Sequence, residues 1–267
     1  MSNHYHLVLR LSPERINDWS DREVIERWTS IYAGTVAARK VLNHETLSAP
    51  EKEEVKRHLT TWRARLGNLS WFMRSLNEKI ARRANLEDGC TGHFWESRFK
   101  SQALLDETAL ITAMAYVDLN PIRAKMASSI ESSDFTSGQD RHQEIKSAGL
   151  APAGLTKPRL VPFIEVEHQH ALDHLPFNLK DYLALIDGTG RCVVTGKRGF
   201  IRAEQPKLLA ALNVDDRQWL DTVIQLQARY ELAIGAPQKL VQLAERWGKR
   251  WVRGIRHARQ LYPLRSG

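Results

Sequence analysis

The sequence predicts an α+β chain, with a strand-bearing first half and a mainly helical, basic second half. Three observations lead there. Tyr5-His6-Leu7-Val8-Leu9-Arg10-Leu11 is aromatic and apolar and reads as a strand, closed by Ser12-Pro13. His93 to Leu105 reads as a second extended segment. Most of the rest carries apolar residues at helical spacing behind capping residues.

Ser20 or Asp21 caps a helix over residues 20–41, with Val24, Ile25, Trp28, Ile31 and Tyr32 on one face. Ser48-Ala49-Pro50-Glu51 opens the next. Proline suits a first helical turn, and Glu51, Glu53 and Glu54 suit the positive helix end. A third runs from Leu66 to Ala84, with Leu69, Phe72, Met73, Leu76 and Ile80 inward and Arg74, Lys79, Arg82 and Arg83 outward. Glu87 to Gly92 is a turn-rich loop. Asp106-Glu107-Thr108 caps a helix to about Asp118; Asn120-Pro121 breaks it, and Pro121 starts a short helix through Met126. Residues 128–160, rich in Ser, Gly, Ala and Pro, read as a linker between a unit at 1–127 and another at 161–267. In the latter, 177–186 reads as helical and Gly188 to Gly199 as a loop or hairpin. Helices follow near 205–212, 215–232 and 236–259.

A formal charge of +8 over 267 residues calls for an anionic partner, either nucleic acid or an anionic membrane surface. Cys90 and Cys192 are too far apart in sequence to suggest a zinc ribbon or a disulfide framework. No apolar run approaches the roughly 20 residues that span a bilayer, and no signal pattern opens the chain. A cytoplasmic protein with no membrane partner is the expectation.

His4 and His6 lie two apart on the expected strand, so both imidazoles point to one face. They form half of a metal site, or a pair of ordinary half-exposed histidines. Tyr116 and Asn120 lie four apart on one helix face. A tyrosine there can act as a nucleophile if a metal polarises its target. By spacing alone Tyr116 is equally a core aromatic, and Asn120 equally an N-cap for the turn at Pro121. Arg98 and Lys100 flank Phe99 and share a strand face; Arg74, Lys79, Arg82 and Arg83 share a helix stripe. Each set either binds phosphates or is solvated. His93 reads as structural or as a DNA contact. Arg246 to Arg259, which includes Arg250 and Arg253, mixes Arg and Trp on an expected helix. Its tryptophans either stack on bases or face the core.

Three blocks occur in order. The first is Met1-Ser2-Asn3-His4-Tyr5-His6-Leu7-Val8-Leu9. The second is Gly92-His93-Phe94-Trp95-Glu96-Ser97-Arg98-Phe99-Lys100-Ser101. The third is Tyr116-Val117-Asp118-Leu119-Asn120-Pro121-Ile122-Arg123-Ala124. Together they resemble the HUH nucleases, in particular the REP-associated tyrosine transposases and the IS200-like group, over residues 1–127. The resemblance implies an antiparallel sheet with packed helices. It implies that Tyr116 attacks a DNA phosphate, forming a 5′-phosphotyrosine link and freeing a 3′-hydroxyl. His4 and His6, with Asn120 as third ligand, would hold one divalent ion, Mg²⁺ or Mn²⁺; a mixed nitrogen and oxygen set suits Mn²⁺ better. Arg123, inside the third block, would contact DNA. The implied partner is single-stranded DNA or a hairpin end, and a homodimer is compatible. Members of the group carry a strand and a helix ahead of the histidine strand, whereas this chain starts on it, so a core shortened at its N-terminus is expected. Two other readings stand beside this one. The first is a non-catalytic DNA-binding remnant of a transposase. The second is a replication initiator or relaxase, which often pairs two close tyrosines; Tyr116 has no such neighbour.

Overall fold

The computed structural model describes residues 4–147, 160–164, 174–195 and 207–262. Of these described residues 60% are helix and 3% strand, which corrects the expected balance towards a mainly helical fold. Two compact units emerge: residues 9–100, and the stretch up to Val8 together with the chain from Ser101 onward. These boundaries differ from those expected at 127 and 160. The reason is a shared core, in which Ile111, Met114 and Ile122 pack with Tyr182, Leu185 and Trp219. Among the described residues no helix is long and apolar enough to cross a membrane.

Unit 9–100 is helical. A 3₁₀ turn at Pro13–Ile16 precedes α1 (Asp21–Thr29), α2 (Val36–Leu42), α3 (Ala49–Leu66) and α4 (Leu69–Glu87). Ser20 starts α1 with a capping box, its N–H donating to Glu23 at 2.8 Å while its hydroxyl accepts from the Glu23 N–H. Ser48 and Glu51 repeat the device at α3, with Pro50 in the first turn. The single helix expected over 20–41 is in fact α1 and α2. The chain turns at Gly34, where a Cβ would fall 2.6 Å from the Thr29 methyl. The core gathers Val24, Ile25, Trp28, Leu59 and Trp62, with Trp28 stacked on Trp62 at 5.3 Å. Of the residues expected inward on α4, Met73 is buried but Phe72 is 45% exposed.

The antiparallel sheet is not found among the described residues. Residues 4–12 form no strand, and no backbone–backbone hydrogen bond reaches Leu7–Leu11. A strand is stabilised only through a ladder, so β-forming composition without a neighbouring strand leaves extended chain. The segment 93–105 becomes strand only at Ala103–Leu104 (β1), which pairs in parallel with Ala233–Ile234 (β2). An isolated parallel bridge joins Phe163 to Leu175.

The second unit continues with α5 (Glu107–Asp118), α6 (Asn120–Arg123), α7 (Ser137–Ser147), α8 (Leu179–Thr195), α9 (Lys207–Ala211), α10 (Asp216–Arg229), α11 (Pro237–Arg246) and α12 (Ile255–Leu261). Asp106 caps α5 as the sequence suggests: its carboxylate accepts from the Ala109 N–H at 2.9 Å. It also accepts from the Ala236 N–H at 2.7 Å and the Tyr262 hydroxyl at 2.6 Å, fastening both ends of the unit. The expected linker is partly packed, since α7 lies within it and Ile130, Ser133 and Arg141 are buried; residues 148–159 lie outside the described residues. The loop expected from Gly188 is helix as far as Thr195. Gly190 explains this, because a Cβ there would press to 3.2 Å on Ile122 and Leu119 side chains, so glycine lets α8 approach α6.

The helix expected over 236–259 breaks into α11 and α12. Gly248 (φ 62°) ends the first and Gly254 (φ 110°) precedes the second. A Cβ on Gly254 would lie 2.3 Å from the Tyr230 ring. Gly254→Ala combines positive-φ strain with overpacking, and is expected to cost about 2–4 kcal/mol in urea unfolding. A loss under about 0.5 kcal/mol would mean that this turn relaxes without consequence.

Candidate functional site

Tyr116 lies on α5, Asn120 opens α6 and Arg123 ends it, so the three recur at helical spacing along nearly continuous helix. The Tyr116 ring belongs to a core cluster with Ala109, Ala113, Leu226 and Tyr230, and is 6% exposed. The core-aromatic reading therefore holds for its ring. Against that ring stands His6, edge to face, with centroids 5.4 Å apart and planes at 80°. His4 adds a second imidazole, 5.1 Å from His6. The Arg123 guanidinium lies 4.3 Å from the Tyr116 ring centroid.

Two polar atoms of this group are buried without a hydrogen-bond partner among the described residues. His6 Nε2 is buried and makes no hydrogen bond. Burial lowers the His6 pKa, and the charges of His4 and Arg123 add to the effect, which favours the neutral imidazole. Neutral imidazole is the form that coordinates a metal. Arg123 Nη2 donates to the Ile224 carbonyl at 2.8 Å, while Nη1 is buried without a partner. A guanidinium with an unspent buried donor suits an anionic oxygen.

Asn120 is buried, 7% exposed, and is the first residue of α6; the cap position belongs to Leu119. The N-cap reading is thereby replaced. Among the described residues no cluster of three or more His, Cys, Asp or Glu could hold a metal. A three-ligand set built on His4 and His6 needs an amide oxygen or a ligand from outside.

The other expected DNA contacts fall in separate places. In unit 9–100, Arg74 is exposed, with its guanidinium 5.0 Å from the Trp71 ring. Arg82 pairs with Glu78 at 2.6 Å and Arg83 with Glu87 at 2.8 Å, so that stripe is largely neutralised along its own helix. Arg98 and Lys100 are exposed but lie on irregular chain rather than on a strand face. His93 is exposed. In the other unit, Arg250 is exposed on the turn between α11 and α12, and Arg253 donates to the Ala228 carbonyl at 2.6 Å.

One residue escaped the sequence reading. Asp118, two positions from Tyr116, is fully buried and anchors the end of α5 to α7 and α8. The Asp118–Tyr182 contact spans 64 residues, and no local pattern announces it. Comparison with family models, with curated proteins and with solved structures finds no match to this chain.

Proposed function

We propose that this chain nicks and rejoins single-stranded DNA through Tyr116, as a single-tyrosine transposase of the HUH kind. One observation carries the reading. His6, which lies beside His4 in the first sequence block, meets the Tyr116 ring of the third, and Arg123 lies against the same ring, across more than 100 residues of chain. A chance likeness of the first and third blocks gives no reason for their residues to converge.

The donor types would suit a divalent ion. A coordinating histidine nitrogen sits about 2.0–2.1 Å from its metal, which puts two rings sharing one ion at about 5 Å between centroids. The His4–His6 separation is 5.1 Å, and His6 brings a buried nitrogen without a partner. Asn120 is the candidate for an oxygen ligand. Such an ion would supply positive charge to a scissile phosphate. Arg123 would add its spare donor to the phosphate oxygens. The Tyr116 oxygen would attack phosphorus and give up its proton to solvent. The bond from phosphorus to the 3′ oxygen would break, and that oxygen would leave protonated as a hydroxyl. The phosphotyrosine keeps the phosphoester, so rejoining is the reverse attack and needs no nucleotide.

The burial of Tyr116 also favours a second reading, DNA binding without chemistry. His4→Ala and His6→Ala separate the two. With a hairpin oligonucleotide and Mn²⁺, each variant is expected to lose cleavage and keep binding, because affinity comes from phosphate contacts elsewhere. Cleavage unchanged in either variant removes the histidines from the mechanism.

A further inference from the structure

Six basic residues, Arg246, Lys249, Arg250, Arg253, Arg256 and Arg259, fall in a stretch that contains no acid. Arg246, Lys249 and Arg250 are exposed, and none of them makes an ion pair among the described residues. Arg82 and Arg83, in contrast, are paired. Between these free charges stand two tryptophans, Trp247 at 44% exposure and Trp251 at 66%.

The backbone explains the exposure. Gly248 adopts φ 62°, its N–H reaches the Glu245 carbonyl at 3.0 Å, and the Lys249 N–H reaches that of Ala244 at 2.9 Å. This pair of bonds is the Schellman stop, which suits glycine because no Cβ opposes the left-handed turn. A continuing helix could have laid both indoles on the core; the stop turns them outward. The turn is pinned at its far end by Val252, buried at 3% exposure, and by Arg253 bonded to Ala228. Two large indoles are thus held in water on a fixed turn, within a field of unpaired cations.

We propose that the turn from Arg246 to Arg253 is a platform for an unpaired nucleic-acid strand. Trp247 and Trp251 stack on bases, and Arg246, Lys249 and Arg250 meet the phosphates. An anionic membrane would also attract the cations. However, interfacial binding uses a broad apolar helix face, and the exposed residues of this turn include no Leu, Ile or Phe. The platform rests on exposure and charge alone and does not require Tyr116 to be a nucleophile.

The test is a titration of the full chain with an oligodeoxythymidine of about 20 nucleotides, longer than one stacking site, at several salt concentrations. Trp247→Ala/Trp251→Ala is expected to weaken binding about tenfold or more and leave the salt slope unchanged. Lys249→Glu/Arg250→Glu should weaken binding and flatten the slope by about 1.4 or more, since each phosphate contact on a single strand contributes about 0.7. Both pairs are exposed, and circular dichroism identifies any variant that fails to fold; the other pair then decides. Binding is read without added metal and involves no cleavage, so a failure of the catalytic reading is separate from a failure of the platform. Wild-type affinity and slope in both double variants would overturn the proposal. Binding to phosphatidylserine-containing vesicles with none to the oligonucleotide would overturn it too.

Discussion

Replacing Asp118 with alanine is expected to cost about 3–5 kcal/mol of unfolding free energy, a large share of what a domain has. The side chain is completely buried at the end of α5. One oxygen accepts from the Ser137 hydroxyl at 2.6 Å and the Gly138 N–H at 2.9 Å; the other accepts from the Tyr182 hydroxyl at 2.6 Å. Burial raises the Asp118 pKa and outweighs these three bonds and the charge of Arg141, which pull it down. Tyr182 is itself fully buried, and its phenol is pushed well above its ordinary range by burial and by the facing carboxylate. Alanine would strand the Gly138 N–H and the Tyr182 hydroxyl without acceptors, and each stranded donor costs about 1–3 kcal/mol. Asp118→Asn keeps the shape and one acceptor, so its loss should be about half as large. Urea unfolding of both variants checks the order. An alanine variant within about 1 kcal/mol of wild type would show that the three helices hold together without this hub.

The sequence announced what is local. Ser20, Ser48 and Asp106 cap the helices that follow them, because capping residues and the donors they satisfy lie within one turn. The breaks at Gly34, Gly248 and Gly254 were written there as well, yet apolar spacing on either side masked them. Gly190 shows the opposite trap: a glycine that reads as a loop signal serves a close helix contact. Strand composition at Tyr5–Leu11 could not reveal whether a partner strand exists, because pairing is a non-local property. In the candidate site, motif order names His4, His6, Tyr116 and Arg123; His6 lies beside His4 and the Tyr116 ring, and Arg123 lies against that ring. The His6 nitrogen and Arg123 donor left without partners, and the hub at Asp118, depend on contacts from distant segments and have no sequence signature.

The proposed chemistry requires Tyr116 to form a covalent bond to DNA. Tyr116→Phe removes one oxygen and almost no volume, and the ring keeps its place among Ala113, Leu226 and Tyr230. Folding should therefore survive to within about 1 kcal/mol. The full chain is incubated with a single-stranded hairpin oligonucleotide and Mn²⁺, denatured, and examined for protein attached to DNA. Wild type is expected to carry the 5′ side of the cut strand, and Tyr116→Phe to carry none. Two results would contradict the account: an adduct that persists in Tyr116→Phe, which moves the nucleophile elsewhere, and cleavage without an adduct in both proteins, which makes water the nucleophile.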